Sequence, residues 1–530
     1  MPEYLHPGVY IEEIERGPRP IEGVPTSTAA LIGEAERGST TPRMVTSYKD
    51  YQRWFGDVFG DTKFLPYAAN SFFENGGKRA FICRIVGNRA KVASVDFGNF
   101  VVRAAGNGLW GNRVKVKIKA SSTKKSDGTP VGFRLQLAYW GRDPVPAFDP
   151  FTDRTTLPRP SLIEDFDDLD TDETSPDFYG KRVPFIDLEK GDSNQGPESS
   201  ALGVLVRKAG VGNAALPDLS DTSKLLADGK DDDQAVGVDD FKGAVDVDAG
   251  RLVPQGLAAL ELDPYRDVAL VYAPNADKAT ALQIISHCEN MRFRFAVIDS
   301  EKGKSSVSDL DPRNTQKGLT DSTFAAFYYP WIYISDPRTG ARKLIPPGGP
   351  VLGVYARTDT ERGVFKAPAN EIVRGALNVE FDINDGMQDD LNPKGVNVIR
   401  SFPSRGIRVW GARTITSNAL WKYVSVRRLF IFLERSIYEG TQWVVFEPND
   451  DKLWARVKDT IRLFLRSQWR AGALFGRTEE EAFFITCDRT TMTQDDILNG
   501  RLICEIGIAP VRPAEFVIFR IFQNTAEAQR

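Results

Sequence analysis

Hydrophobic residues along the chain follow two different spacings, and these spacings predict the elements. Short runs that are apolar throughout, such as Ala29–Gly33 and residues 268–273, predict strands buried on both faces of a sheet. Stretches with apolar residues three or four positions apart, such as Tyr48–Phe55, 65–75 and 276–291, predict amphipathic helices. Strands that alternate with helices predict a mainly parallel, multidomain α/β protein.

The middle of the chain has a different pattern. Segments 92–102, 113–119 and 132–140 alternate apolar and polar residues with a period of two. This predicts an inserted antiparallel β-rich region, a sandwich or a barrel. In the second segment lysines alternate with valines and an isoleucine, so we expect one face of that strand to lie in water.

The pattern in the last third predicts a compact α/β unit. Segments 396–399 and 407–410 predict strands, and residues 419–438 predict a long helix. Gly440 suits the end of that helix, because glycine adopts a left-handed cap at the lowest cost. A further strand is predicted over residues 442–446.

A second long helix, predicted over residues 451–474, carries a one-sided charge. Spacings of three and four residues place five cations and one anion, Asp459, on the same face. A plain surface helix would explain such a face, and so would a helix that lies along an acidic partner. The five cations are Lys452, Arg456, Arg462, Arg466 and Arg470.

Each end of the chain contains a predicted strand that has no neighbouring strands close to it in the sequence. Prolines break residues 1–25 around one apolar segment, and residues 515–523 form another. A lone strand is not stable in water, so each must join its own sheet or that of a neighbour. The residues concerned are Val9, Tyr10, Ile11, Glu12 and Ile14 at the start, and Phe516, Val517, Ile518, Phe519, Ile521 and Phe522 at the end.

The distribution of charge and of apolar residues excludes several classes of function. The net charge of −4 conceals an acidic segment, 141–250, whose 25 acidic and 11 basic residues give −14 and leave +10 for the rest. A concentrated basic face is missing, which argues against nucleic-acid binding. Within that segment, the charged runs 164–173 and 231–240 are expected to be solvated loops, and they lack the spacing of a calcium loop. The chain also lacks a secretory signal pattern and an apolar run of membrane length, so we expect cytoplasmic synthesis and no membrane insertion.

Catalytic and cofactor motifs are not found. The chain has two histidines, His6 and His287, and no glycine-flanked serine elbow, so hydrolase chemistry has no base and no presented nucleophile. Its four cysteines are scattered and predict reduced core thiols rather than a zinc site or a disulfide frame. Gly76-Gly77-Lys78 lacks the remaining residues of a phosphate-binding loop. We therefore expect no enzyme activity, metal or cofactor.

Several phrases of the sequence resemble one known family, the contractile tail sheath proteins of phage tails, R-type pyocins and extracellular contractile injection systems. The similarity covers residues 1–90 and 250–525 and is weakest over 91–250. The phrases are PGVYIEE, TSTAALIGEAERG, FFENGGKRAFICRIVG, RGIRVWGART, VRRLFIFLERSI and TQWVVFEPN.

The resemblance implies a structural subunit that polymerises in stacked hexameric rings around an inner tube and contracts to drive the tube into a target membrane. Implied partners are other copies of the chain, the inner tube, and baseplate and terminal cap proteins. The cationic helix would face the tube. Implied domains are a linking arm (1–25), an α/β part (26–90), the inserted region (91–250), a subtilisin-like domain named for its fold alone (251–405), a C-terminal domain (406–512), and a linking strand with tail (513–530).

Two functions of other classes are alternatives to a sheath subunit. A subtilisin-fold hydrolase is opposed by the missing base and elbow. A surface module that recognises a receptor through residues 141–250 is the other alternative. The resemblance is compatible with a phage tail, a released injection particle or a cell-anchored one, and the large insertion favours the first two.

Overall fold

A computed structural model describes residues 20–520 except 154, 213, 245–254, 307–309, 315 and 317. No helix within these residues combines the length and the apolar character needed to cross a membrane. The strands are β1 Ala29–Gly33, β2 Arg43–Val45, β3 Ala80–Arg84, β4 Ser94–Phe97, β5 Phe100–Ala104, β6 Val114–Ala120, β7 Phe133–Tyr139, β8 Leu162–Leu169, β9 Phe185–Asp187, β10 Gly203–Arg207, β11 Lys224–Leu225, β12 Leu270–Tyr272, β13 Phe295–Asp299, β14 Ala325–Tyr329, β15 Ile332–Ser335, β16 Arg342–Ile345, β17 Glu371–Ile372, β18 Ala376–Val379, β19 Val396–Phe402, β20 Gly406–Val409, β21 Phe483–Thr486 and β22 Glu505–Ile508. The helices are α1 Tyr48–Phe55, α2 Leu65–Glu74, α3 Tyr179–Arg182, α4 Val238–Lys242, α5 Gly256–Leu260, α6 Lys278–Met291, α7 Gly348–Glu361, α8 Asp385–Leu391, α9 Val424–Gly440, α10 Asp451–Arg470, α11 Glu479–Ala482 and α12 Gln494–Leu498.

Contacts divide the chain into two compact units. The large unit is Pro25–Arg428. The C-terminal unit contains, among the described residues, 20–24 and 429–520. The boundary between the units falls within α9. Helices and several separate sheets give the chain a mixed α/β, multidomain architecture.

A nine-stranded sheet organises the large unit. Its strand order is β17-β20-β19-β14-β13-β12-β1-β3-β2, with parallel pairing from β19 to β3 and antiparallel strands at both edges. Strands β1, β3, β13 and β14 are buried at every position, as parallel strands covered on both faces must be. The predicted strand–helix–strand unit at the start of the chain is confirmed, since β1 and β3 pair in parallel.

Two further sheets lie between β3 and β12 in sequence. One has the order β4-β5-β10-β9 and the other the order β11-β6-β7-β8. Side chains from both sheets share one hydrophobic core, including Phe100, Val116, Leu137, Tyr179 and Leu205. The three alternating segments of the sequence are therefore strands, as predicted.

The prediction that one face of β6 lies in water is wrong. Lys115 and Lys117 are 4% and 6% exposed. Lys115 donates hydrogen bonds to the carbonyl oxygens of residues 146, 147 and 148, at 2.6, 3.2 and 2.9 Å, and Lys117 forms a 2.8 Å ion pair with Asp149. Segment 146–149 thus covers that face, and burial lowers the pKa of Lys115.

The first acidic run, residues 164–173, is only in part the solvated loop that we predicted, because residues 164–169 lie in a strand and residues 170–173 follow it. Residues Leu162–Leu169 form β8, which pairs along its length with β7. Glu164 is 7% exposed and accepts hydrogen bonds from the Ser200 hydroxyl and, at 2.8 Å, from the backbone N–H of Ala201. The negative charges in this strand are therefore paired with donors of the same region. The second run, residues 231–240, does lie at the surface.

Residues 442–446 do not form the predicted strand. Gln442–Val444 is a turn of 3₁₀ helix, after which Val445 and Phe446 are 61% and 102% exposed. Phe446 has a φ of +69°, which an aromatic residue seldom adopts. The β-branched and aromatic residues produced the strand signal, but no described strand pairs with this segment.

Candidate functional site

Helix α10 has the amphipathic structure that its sequence predicts, although it ends at Arg470 rather than residue 474. Asp450 caps it, accepting a 2.8 Å hydrogen bond from the backbone N–H of Leu453. The predicted apolar stripe is buried: Leu453, Val457, Ile461, Phe464 and Leu465. The opposite face is consequently fixed at the surface of the C-terminal unit.

The five predicted cations share this exposed face, but two glutamates from outside the helix join them. Glu479, at the start of α11, accepts ion pairs from Arg462 at 3.1 Å and Arg466 at 2.6 Å. Arg456 pairs with Glu447 at 3.0 Å. The hydrogen bond from Arg466, with the charges of Arg466, Arg462 and Arg470, lowers the pKa of Glu479.

Sequence reasoning missed both glutamates, because Glu479 lies 13 positions beyond Arg466. The acidic run Glu479-Glu480-Glu481 was the available signal. The face is still cationic, with Lys452 and Arg470 exposed, but less one-sided than its spacing indicates. That it faces an inner tube stays a prediction.

A small two-stranded sheet, β21 with β22, lies beside α10 in the C-terminal unit. Its strands are antiparallel, with Phe483 opposite Ile508 and Thr486 opposite Glu505. Phe484 is 58% exposed, and its ring covers Gly507, where a Cβ atom would lie 1.9 Å from the ring. Each strand pairs only with the other among the described residues, so each has an open edge. A two-stranded sheet is marginally stable by itself.

The chain that follows β22 leaves its apolar residues in water. Phe516, Val517, Ile518 and Phe519 are 71%, 68%, 77% and 83% exposed. Residues 511–520 belong to no strand of this chain. Four consecutive exposed apolar side chains form a patch of the kind that marks interaction sites on protein surfaces. Ile521 and Phe522, which complete the predicted strand, lie outside the described residues.

The N-terminal strand residues Val9, Tyr10, Ile11, Glu12 and Ile14 also lie outside the described residues, but the root of this arm is visible. Ile21 and Val24 are 8% and 9% exposed, and the backbone N–H of Val24 donates a 3.2 Å hydrogen bond to the Ser436 hydroxyl on α9. Ile21 packs on Gly440, where an added Cβ atom would lie 2.6 Å from its side chain. Gly440 is the last residue of α9, but the left-handed cap predicted for it is wrong, since its φ is not positive. Its absent side chain instead leaves room for Ile21.

The buried histidine of the large unit, His287, has a structural partner. His287 is 5% exposed, and Arg294 contacts its Nε2 atom at 2.7 Å. Burial and the charge of Arg294 lower the pKa of His287 to about 3, which keeps the ring neutral. Within the described residues no group of three or more acidic, histidine or cysteine side chains is placed to hold a metal ion.

Two family models match the chain. The phage tail sheath protein central domain matches residues 243–415, and the phage tail sheath C-terminal domain matches residues 416–524. The two matched stretches together cover more than half of the sequence.

Curated proteins agree. The tail sheath protein of Salmonella phage ViI is 25% identical over 283 residues, which are 48% of this chain and 44% of the phage protein. The tail sheath protein of Escherichia phage P2 is 22% identical over 331 residues, which are 59% of this chain and 80% of that protein. The matches to the Salmonella phage protein and to the sheath protein of Vibrio phage KVP40 span 44% and 33% of those longer proteins.

Solved structures share the fold. The sheath of an extracellular contractile injection system, PVC, in its contracted state has a TM-score of 0.56 and 22% identity over 100% of both chains. The contracted helical sheath of the anti-feeding prophage has a TM-score of 0.56 and 24% identity over 98% of this chain and 99% of that chain. Family models, curated relatives and fold therefore agree, and this chain belongs to the contractile tail sheath protein family.

Proposed function

We propose that this chain is a structural subunit of a contractile sheath. It polymerises as stacked hexameric rings around an inner tube and contracts from a metastable extended state, driving the tube into a target membrane. Membership of the family supports this proposal, as does the full-length fold shared with contracted sheaths. A third structural relative, with a TM-score of 0.55, comes from an anti-feeding prophage baseplate, which supports a baseplate protein as a partner. The inner tube and a terminal cap protein are the other proposed partners.

The observation that carries the proposal is the exposed segment 516–519 in a unit whose two-stranded sheet has open edges. An extended segment with four exposed apolar side chains suits pairing with a sheet edge of another copy. We propose that residues 513–530 are donated to a neighbouring subunit in this way. The N-terminal arm, through Val9 to Ile14, provides a second donated strand.

The favourable free energy of such a link is largely offset by the cost of ordering the donated segment, so the link is reversible. Burying four apolar side chains contributes about 8 kcal/mol, and four backbone hydrogen bonds contribute about 4 kcal/mol net. Ordering six residues costs about 9 kcal/mol. One link therefore has a small net free energy. Subunits that a single link would not hold together are held by many such links in a polymer.

Helix α10 is proposed to contact the inner tube through its cationic face. Arg462 and Arg466 share Glu479, so an acidic partner would compete with that glutamate for them. Such competition favours contacts that can be released, as a sheath that slides along its tube during contraction requires. Lys452 and Arg470 extend the same face on either side.

The nine-stranded sheet is proposed to correspond to the subtilisin-like domain of the family, without its catalysis. Sheets β4-β5-β10-β9 and β11-β6-β7-β8 would form the inserted domain. We propose that assembly takes place in the cytoplasm and that the product is part of a phage tail or tail-like injection particle. No feature described above favours receptor recognition by residues 141–250.

Serine substitutions within the tail test the proposal. In an extended segment alternate residues share a face, so Phe516→Ser with Ile518→Ser alters one face and Val517→Ser with Phe519→Ser the other. At least one pair should abolish sheath formation seen by electron microscopy, while the monomer stays folded by circular dichroism. Leu498→Ser, at a 77% exposed position of the same unit, is the matched control and should assemble normally. Normal sheaths from both pairs would refute strand donation by the tail.

A further inference from the structure

The four cysteines fall into two kinds. Cys83 in β3 and Cys288 in α6 are completely buried in the core of the large unit. Burial raises the pKa of both thiols, that of Cys288 to about 12. Thiols of this kind are unreactive, because the thiolate is the reactive form and solvent does not reach the sulfur.

Cys487 and Cys504 differ, because they lie next to each other at the end of the two-stranded sheet. The register of β21 and β22 ends with Thr486 opposite Glu505. One further step along both chains brings Cys487 opposite Cys504, and each thiol changes the pKa of the other. Both are free cysteines, 17 positions apart in the chain.

This position fits a disulfide without refolding. Residues directly opposite in an antiparallel pair have Cα atoms about 4.5–5.5 Å apart. Disulfides accept Cα separations of about 4.4–6.8 Å. The spacing of paired strands is thus compatible with a cross-strand bond between Cys487 and Cys504.

The surroundings also assign different roles to the two sulfurs. The neighbouring Cys504 thiol lowers the pKa of Cys487, and Lys458 on α10 acts in the same direction. The neighbouring Cys487 and burial both raise the pKa of Cys504. Cys487 is therefore the better nucleophile. Because it is 2% exposed while Cys504 is partly exposed, only a small oxidant reaches it.

We propose that Cys487 and Cys504 form a redox site that closes an intramolecular cross-strand disulfide when the protein meets a small peroxide. The Cys487 thiolate attacks one oxygen of hydrogen peroxide, the O–O bond breaks, and Cys487 becomes a sulfenic acid as hydroxide leaves. The Cys504 sulfur then loses its proton and attacks the Cys487 sulfur, and the departing hydroxyl group leaves as water. Overall, two thiols and one peroxide give one disulfide and two waters.

The consequence concerns the small sheet. In a reducing cytoplasm the pair stays as two thiols, whereas an oxidising exterior favours the disulfide. The bond would close a loop around residues 488–503 and join β21 to β22 covalently. The sheet that is open to other strands would thereby be stiffened after release from the cell. The redox chemistry goes beyond the sheath function and does not depend on it, whereas the stiffening after release rests on the proposed function.

Peroxide treatment of the full-length chain tests the site. The reduced protein is treated with hydrogen peroxide, quenched, denatured and alkylated with iodoacetamide. We expect two thiols, Cys83 and Cys288, to remain alkylated, the intact mass before alkylation to fall by two hydrogen atoms, and a Cys487–Cys504 linked peptide in a non-reducing digest. Four alkylated thiols, a linkage between chains, or Cys487 sulfinic acid beside an alkylated Cys504 would each overturn the proposal.

Single substitutions assign the order of the two steps. Cys504→Ser should leave Cys487 to accumulate as sulfenic or sulfinic acid, whereas Cys487→Ser should leave Cys504 alkylatable after the same treatment. Far-ultraviolet circular dichroism checks that both variants are folded. Equal peroxide reactivity of the two variants would contradict Cys487 as the nucleophile. In the wild type, proteolysis within residues 488–503 should yield fragments that separate only after reduction.

Discussion

The two units of this protein bury their apolar residues to very different extents. The large unit holds most of the chain, and ten of its large apolar side chains are exposed; the much smaller C-terminal unit exposes twelve among the described residues. The large unit has a nine-stranded sheet with its central strands buried on both faces, and the C-terminal unit has two short strands with open edges. The large unit therefore has the burial of a body that folds for itself, whereas the C-terminal unit has the exposed apolar residues that our proposal assigns to contacts with neighbouring subunits.

Deleting residues 1–17 tests this difference with the largest expected effect. The root of the arm, Ile21 and Val24, stays in place, so the chain should fold with an unchanged thermal midpoint. Without the strand, we expect monomers and no long sheaths in electron micrographs. Long sheaths at the normal yield would show that the C-terminal unit does not depend on this arm.

Removing a buried charge should damage the large unit alone. Arg428 pairs with Asp359 at 2.5 Å, with both side chains 5% exposed or less. Asp359→Ala leaves the arginine buried without that partner and should cost about 3–5 kcal/mol in the free energy of unfolding, measured in urea. The matched control is Asp385→Ala, which breaks the 2.8 Å pair of a 93% exposed aspartate with Arg400 and should cost about 0–1 kcal/mol. Equal losses would contradict a self-sufficient core.

Charge reversal on α10 should affect assembly while leaving the fold intact. We expect Arg462→Glu, Arg466→Glu and Arg470→Glu together to reduce tube-bound extended particles and to spare tube-free polymers, as counted by electron microscopy. Glu479→Gln is the opposite control, since it frees Arg462 and Arg466 and should preserve or strengthen tube binding. Extended particles at normal yield in the triple variant would refute a tube contact by this helix.

The smallest expected effect is a pH dependence within the large unit. Asp299 is buried, and burial raises its pKa to about 7, although Tyr272, Asn275 and Gly348 donate hydrogen bonds to it. The folded state therefore holds a proton that the unfolded state releases near pH 4, so this contribution to stability is complete below about pH 4 and declines as the pH rises to about 7. Urea midpoints of the wild type should fall across this range relative to those of Asp299→Asn. Parallel profiles would contradict it.

Local periodicity predicted much of the fold, because β1, β3, α1 and α2 are determined by their own apolar spacing. It failed where a distant segment decides the environment. The lysines of β6 alternate with apolar residues, as on a strand with one solvent-exposed face. Only the position of residues 146–149 in the structure shows that these lysines are buried.

The candidate site shows the same limit. Spacing along α10 placed its cations on one face, as the structure confirms, but could not show that Glu479 folds back onto them. Residues 442–446 have strand-forming side chains and no strand to pair with. Residues 516–519 are apolar and exposed, and the surface that we propose for them belongs to another copy of the chain.

The root of the N-terminal arm has a mechanical consequence. Ile21 and Val24 are fixed against α9, in the same unit from which the C-terminal tail departs. If both segments bind neighbours as proposed, tension in the polymer enters and leaves each subunit through this one small body. The nine-stranded sheet provides neither of the two linking segments, so under this proposal the links would not pull on it directly.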